Sequence, residues 1–362
     1  MADTAEDFGL TTEWQNAAEG AHDMAARVAN PPFRIGRIVR VERGECDVVT
    51  TDGRERVASD SLRSQDNLAP VTGDWVVVGE TDTGAVIAAI VERQSTLARR
   101  DPSEEVIEQV LAANIDNAFL VHGLDRPLRA GRLERFLVLA WDSGAQPVVV
   151  LTKADVDEPG DGDQTGEPGG RHATELRGVI AAVAPDVPVC LTSSVSGQGL
   201  DTLDQWLTPG STTALLGESG SGKSTLVNAL LGHEEQETGA VRSGDAKGRH
   251  TTITRDLLRL ESGALLVDTP GIRAVGLWDA EDALERVFGD IVDLADGCRF
   301  NDCSHGVEPG CAVRAAVEEG ELDARRLDRF AIMAAELLEQ AEKQKQRERK
   351  EEKRQNQRRK NR

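Results

Sequence analysis

The sequence predicts a chain of several domains: a small N-terminal β-barrel, a central α/β domain on a parallel sheet, and a C-terminal helical domain. Three observations carry this. Short β-branched runs crowd residues 34–93, buried strands alternate with helices from about residue 105 to 271, and three cysteines and a histidine fall within residues 298–311. A length of 362 residues accommodates two or three separate cores.

Residues 1–32 read as an extension ahead of the first domain. Their opening, "MADTAEDFGLTTEWQNAAEG", is acidic and has neither the basic start nor the apolar run of a signal peptide. The barrel is placed at residues 33–97, where "RIGRIVRVE", "ECDVVTTDG", "RERVASDS", "DWVVVGE" and "AVIAAIVER" are separated by Gly, Asp and Asn turn signals. About five strands in sixty residues suggest an OB-like barrel. Phe33 and Trp75 are its only aromatics, which favours shape or phosphate contacts over base stacking.

Residues 98–277 read as the α/β domain. "NAFLVHG", "QPVVVLTKAD", "VPVCLTSS", "TTALLGESG" and "GALLVDTPG" are buried strands, and "LRAGRLERFLVLAWDSG", "ATELRGVIAAVA", "LDTLDQWL" and "KSTLVNALLG" are the helices among them. Such alternation specifies a parallel sheet covered on both faces, whose ligands bind at the carboxyl ends of the strands. A Gly/Asp/Pro-rich loop occupies residues 158–170. From residue 278 the pattern is helical, with a domain at 278–340 and a basic tail at 341–362.

Charge is unevenly spread. Residues 343–362 carry eleven Lys/Arg and three Glu, a net +8 against −21 for the whole chain, which leaves −29 on the remainder. The acidic body repels nucleic acid on average and the tail attracts it. No apolar run approaches the roughly 18–20 residues that span a bilayer, so a cytoplasmic protein without a membrane partner is expected. Cys46 and Cys190 stand alone in apolar surroundings and read as inert core residues.

The stretch "GESGSGKST" fits the phosphate-binding loop pattern, with a strand before it and a helix after it. Gly217, Glu218, Ser219, Gly220, Ser221 and Gly222 would turn backbone amides onto phosphate oxygens, helped by the positive end of the helix that begins near Lys223 and Thr225. Lys223 would reach the β- and γ-phosphates, and Ser224 would hold Mg²⁺. "DTPG" closes a strand 44 residues after Ser224, placing Asp268 to hold Mg²⁺ through water and the Gly271 amide near the γ-phosphate. Between the two lies "KGRHTTITRD", from which Thr251 or Thr252 would add a hydroxyl to Mg²⁺, Thr251 being favoured.

"LTKAD" ends another strand. The Asp155 carboxylate would accept from guanine N1–H and the 2-amino group, a pair of donors adenine lacks, which argues against an ATP-driven motor. Thr152, Lys153 and Ala154 complete this base loop, with the Lys153 stem along the base plane. "TSS" after the next strand would close over guanine O6 through Ser193 and Ser194. The base elements precede the phosphate elements in the chain, the reverse of the usual order. The same sheet accepts this threading if the old termini are joined and the chain is opened elsewhere. The central domain is thus predicted to be a P-loop GTPase domain with circularly permuted motif order.

Cys298-x4-Cys303-x-His305-x5-Cys311 offers three thiolates and one imidazole, a set that closes a tetrahedral structural Zn²⁺ site.

The permuted order, "GRHTT", "DTPGIRAVGLWD", "EQVLAANIDNAFLV", "RLERFLVLAWDSGAQPVVVLTKAD", "CAVRAAVEEGEL", the barrel and the Cys/His cluster together resemble the RsgA (YjeQ) family of small-ribosomal-subunit biogenesis GTPases. The likeness covers roughly residues 33–335. It implies hydrolysis of GTP to GDP, stimulated by the small subunit late in that subunit's maturation, with the barrel and zinc domain contacting ribosomal RNA and the chain acting as a monomer. The sequence departs from the family at Thr152, where an Asn would brace the loop and contact guanine N7. Ile272 stands where Ras-like proteins place the glutamine that orients water. His250 is the candidate for that role, its alternative being to contact RNA or steady the switch.

Overall fold

The computed structural model describes residues 3–59, 69–100, 108–156, 170–233, 256–268 and 280–360. A 3-10 turn (Ala5–Phe8) and helices α1 (Thr12–Gly20) and α2 (His22–Ala25) lead into the first strand. Strands β1 (Asn30–Val41), β2 (Glu45–Thr50), β3 (Gly53–Ala58), β4 (Trp75–Thr81) and β5 (Gly84–Ile90) then close a barrel in the order β1-β2-β3-β5-β4. Pairing of β1 with β4 shuts it.

Alternation along the strands sends Ile38, Val48, Val57, Val76, Val78 and Ile87 to one buried cluster. The opposite face, including Trp75, Val77 and Ala88, packs against Ala5, Ala18 and Ala25 of the leading segment. Trp14 stacks on Trp75 with ring centroids 5.8 Å apart. Residues 3–29 are therefore part of the barrel's packing, and Trp75, fully buried, presents no platform to a base. An antiparallel pair absent from the sequence reading, β6 (Thr96–Arg100) with β7 (Glu108–Ala113), connects the barrel to the central domain.

The central sheet contains β8 (Asn117–Gly123), β9 (Gln146–Thr152), β10 (Val189–Leu191), β11 (Thr212–Leu216), β12 (Leu257–Arg259) and β13 (Leu265–Asp268). Its order is β10-β9-β8-β11-β13-β12, parallel except for the edge strand β12. Successive residues face opposite layers. Ala118, Leu120, Val149, Leu151, Ala214 and Leu216 pack toward α3 (Ala130–Asp142) and α4 (Gly170–Val183). Phe119, Val121, Val148, Val150 and Leu215 pack toward Leu226 and Val227 of α5 (Lys223–Leu231). Each Val, Leu or Phe among them contributes about 1.5–3 kcal/mol by burial, and the alanines less.

The helix expected at "LDTLDQWL" is a 3-10 turn, Leu200–Leu203. Gly199 enters it with φ of 70°, and a Cβ there would meet Leu191 O at 2.1 Å, so the turn is pressed directly against β10. Beyond the sheet come α6 (Glu281–Val287), α7 (Gly289–Ala295), α8 (Ala312–Glu319) and α9 (Ala324–Lys360). Phe288, between α6 and α7, and Ile291, Val313, Met333 and Leu337 of these helices belong to the same core as α3. At that junction Glu134, fully buried on α3, accepts from Arg326 Nη1 at 2.9 Å and from Arg329 Nε at 2.6 Å and Nη2 at 2.8 Å. No helix among the described residues is long and apolar enough to cross a membrane.

Candidate nucleotide site and metal cluster

Register fixes where the site lies. Gly123 is level with Thr152, Leu151 with Leu191, Leu120 with Leu216, and Leu215 with Asp268. The carboxyl ends of five parallel strands therefore share one edge, and the loops leaving it carry the base and phosphate motifs.

Between β11 and α5 the phosphate loop passes close to its neighbours. A Cβ on Gly217 would meet Val121 O at 2.4 Å, and one on Gly222, whose φ is 94°, would meet Thr152 Oγ1 at 2.8 Å. Only glycine fits either position. Lys223 Nζ donates to the carbonyls of Gly217 at 2.7 Å and Glu218 at 2.8 Å, which holds the ammonium inside the loop. Ser224 and Thr225 occupy the first turn of α5. The Ser221 hydroxyl is buried with no hydrogen-bond partner among the described residues, and Glu218 pairs with Arg132 of α3.

On the base side, the Ser193 hydroxyl donates to Asp155 Oδ1 at 2.5 Å, and the Ala154 amide donates to Thr192 O at 3.1 Å. The β9 and β10 loops are thereby tied together, with Ser194 next in the second. Lys153 takes a left-handed φ of 63°, and its Nζ reaches Gly220 O at 2.9 Å and Asp125 Oδ2 at 2.8 Å. Thr152 does not leave the phosphate loop unbraced, as loss of the Asn would suggest. Its hydroxyl donates to Ser221 O at 2.6 Å, close enough for the shorter side chain because Gly222 has no Cβ.

Two residues at this edge carry no motif. Asp125 and Arg126 follow β8, the strand between the base and phosphate strands. Arg126 donates to Ser219 O at 3.1 Å and Gly220 O at 2.9 Å. Hydrogen bonds from Arg126, and then from Lys153, outweigh partial burial and hold the Asp125 carboxyl down at about 2. Burial pushes His122 below the ordinary imidazole range, and its Nε2 lies 3.1 Å from Arg126 O. The signal for Asp125 and Arg126 was positional, a charged pair after the central strand. His250, Thr251, Thr252 and Gly271 lie outside the described residues; Asp268 ends β13.

Away from this edge, the ligand atoms of Cys298, Cys303, His305 and Cys311 lie within 4.8 Å of one another. Cys298 Sγ is 3.9 Å from Cys311 Sγ and 3.7 Å from His305 Nδ1, and Cys311 Sγ is 3.5 Å from His305 Nδ1. Bonds of about 2.3 Å to sulfur and 2.0 Å to nitrogen at tetrahedral angles require separations of about 3.5–3.8 Å. The Cys298, His305 and Cys311 separations lie close to that range, and the donor set with Cys303 suits a closed four-coordinate metal. Cys311 caps α8, accepting from the Arg314 amide at 3.4 Å.

The fold and site define a P-loop nucleoside triphosphatase whose base-recognition half precedes its phosphate half. The model of the RsgA GTPase family matches residues 90–278. The chain is 46% identical over 89% of its length to the small ribosomal subunit biogenesis GTPase RsgA of Streptomyces avermitilis, covering 83% of that protein. It is 38% identical over 95% of its length to the RsgA of Xanthomonas axonopodis pv. citri, covering 93% of it. Among solved structures, YjeQ from Thermotoga maritima superposes with a TM-score of 0.58 at 28% identity over 84% of this chain and 99% of that one. YloQ, a circularly permuted GTPase, gives 0.56 at 25% identity over 85% and 96%. The chain belongs to the RsgA GTPase family. It is a GTP hydrolase with a circularly permuted GTPase domain, and membership of the family implies GTP, GDP and Mg²⁺ as its ligands.

Proposed function

We propose that the chain hydrolyses GTP when it engages the small ribosomal subunit, during late maturation of that subunit in the cytoplasm. The reading is carried by the shared edge, where Asp155, Lys153 and Ser193 stand beside the loop that holds Lys223. In it, Asp155 reads guanine, the Lys153 stem covers the base, and Ser193 and Ser194 close over O6. The amides of residues 217–222 cradle phosphate, Lys223 reaches the β- and γ-phosphates, and Ser224 with Thr251 or Thr252 holds Mg²⁺. Asp268 contacts the ion through water, and the Gly271 amide meets the γ-phosphate. Chemistry consists of water attacking the γ-phosphorus as the bond to the β-phosphate oxygen breaks, with His250 orienting the water.

The barrel and the C-terminal region grip ribosomal RNA, and the basic tail supplies attraction that the acidic body lacks. One structural Zn²⁺ is held by Cys298, Cys303, His305 and Cys311, a reading supported by the convergence of their ligand atoms to within 4.8 Å of one another. Metal analysis of purified protein returning one zinc per chain supports it, and no zinc overturns it.

GTP turnover measured with and without purified small subunits tests the main reading. Slow intrinsic turnover and a large stimulation by small subunits, absent with large subunits, is the expected result. Equal rates in all three conditions defeat it. Unchanged stimulated turnover in His250→Ala removes His250 from the chemistry.

A further inference from the structure

We infer that Asp125 and Arg126 are positioning residues of the nucleotide site, Arg126 fixing the outer carbonyls of the phosphate loop and Asp125 fixing the ammonium of Lys153. The inference rests on the reading that the loop from Thr152 to Asp155 receives guanine.

Topology supplies the first ground. Strand β8 lies between β9, which leads into the base loop, and β11, which leads into the phosphate loop. The loop after β8 thus emerges between the two halves of the site and touches both. The second ground is a closed ring of hydrogen bonds. Arg126 donates to both Asp125 oxygens at 3.2 Å and to Gly220 O at 2.9 Å. Lys153 Nζ donates to Asp125 Oδ2 at 2.8 Å and to the same Gly220 carbonyl at 2.9 Å. Space around the ring is tight: a Cβ on Gly123 would meet Asp125 Oδ1 at 2.5 Å, and one on Gly220 would meet Arg126 Nη2 at 3.1 Å.

The electrostatics follow. A peptide whose carbonyl is held by a cation on the outside keeps its plane fixed, so the amides of the loop stay aimed at the phosphates without reorganising. Arg126 does this for Ser219 and Gly220, while the Thr152 hydroxyl does it for Ser221. Thr152 is too short to serve both stretches. Asp125 separates and orients two cations that would otherwise repel. The ring then retains one net positive charge beside the loop that receives a polyanion.

The test is GTP steady-state kinetics and release of fluorescently labelled GDP for Arg126→Ala, Arg126→Lys and Asp125→Asn in the full-length protein. Loss of charge-assisted hydrogen bonds to the loop predicts KM and GDP release each raised about 5–10-fold in Arg126→Ala and Asp125→Asn. The change in kcat is smaller, and Arg126→Lys recovers part of the loss because an ammonium still reaches one carbonyl. KM and GDP release within twofold of the parent in both variants overturn the inference. So does a loss confined to kcat. If Arg126→Ala fails to fold, Asp125→Asn and Arg126→Lys carry the same comparison. Asp155→Ala, assayed with GTP against ITP, tests the underlying reading separately: retained preference for GTP defeats the base site without altering what the GDP release rates say of Asp125 and Arg126.

Discussion

At the scale of single residues, the nucleotide edge depends on side chains and glycines that approach within one atom's width. Thr152→Ala deletes the hydroxyl held at 2.6 Å by Ser221 O. The expected cost is about 1 kcal/mol, seen as roughly fivefold weaker GTP binding by titration. Gly222→Ala adds left-handed strain to a contact of 2.8 Å with Thr152 Oγ1, so nucleotide binding should fall well below that of Thr152→Ala. His122 gives the pH dependence. Its folded pKa lies below the ordinary value through burial, so the unfolded chain binds more protons as pH drops through about 6.5. Stability is therefore full above that value and declines as pH falls toward the folded pKa. Thermal melts should show a lower Tm at pH 5.5 than at 7.5, with a smaller difference in His122→Gln.

At the scale of elements, what could be read in advance depended on whether a residue's role is local. The strands with unbroken apolar runs, β8, β9, β11 and β13, and the phosphate loop between β11 and α5 are encoded by neighbouring residues. Strand β12 and the pair β6–β7 are antiparallel neighbours along the chain, but they are short and lack the unbroken apolar runs of the buried strands, so their sequences carry a weak pattern. The turn at Leu200–Leu203 had helix-like periodicity, overridden by Gly199 packing on β10. Asp125 and Arg126 have no spacing signature, because their partners at residues 153 and 219–220 meet them only through sheet order. Helix α3 illustrates the same limit. "RLERFLVLAW" reads as an amphipathic helix, yet Glu134 lies on the buried side because Arg326 and Arg329 arrive from α9. Arg326 also binds Asp290 of α7, at 2.6 and 2.8 Å. Glu134→Ala removes three charge-assisted hydrogen bonds, although Arg326 keeps Asp290, and should destabilise by about 1.5–3 kcal/mol in denaturant titrations. Glu134→Gln keeps acceptor capacity at one oxygen and should cost less.

At the scale of the whole molecule, strand β1 brings the barrel against the edge of the α/β sheet. Arg40 of β1 holds Asp256 by two hydrogen bonds of 2.6 Å at the start of β12, and Arg259 at its end holds Asp7 at 2.8 Å. Three residues earlier on β1, Arg37 is buried where the leading segment, the barrel and the sheet meet. It donates to Phe8 O at 2.7 Å, Gly73 O at 3.4 Å, Asn114 O at 3.1 Å and Thr212 Oγ1 at 2.7 Å. Burial lowers its pKa to about 10, with Asp116 and Asp74 opposing the shift, so it remains charged near neutrality. Thr212 opens β11, the strand that ends in the phosphate loop, so the same guanidinium ties the barrel to the root of the nucleotide site. Arg37→Met preserves much of the volume and removes every one of these bonds. Phe8 O, Asn114 O and Thr212 Oγ1 then lose this donor, at about 1–3 kcal/mol for each group that water cannot reach, while Gly73 O keeps Asn114 Nδ2 at 3.0 Å. Because those acceptors belong to three separate units, the loss should fall on their cooperation more than on any one core. Calorimetry should resolve an early transition for the barrel and leading segment in Arg37→Met, with limited proteolysis cutting between the barrel and β8. A single transition lowered as a whole would instead mean that the ion pairs at Asp256 and Asp7 hold the units together without Arg37.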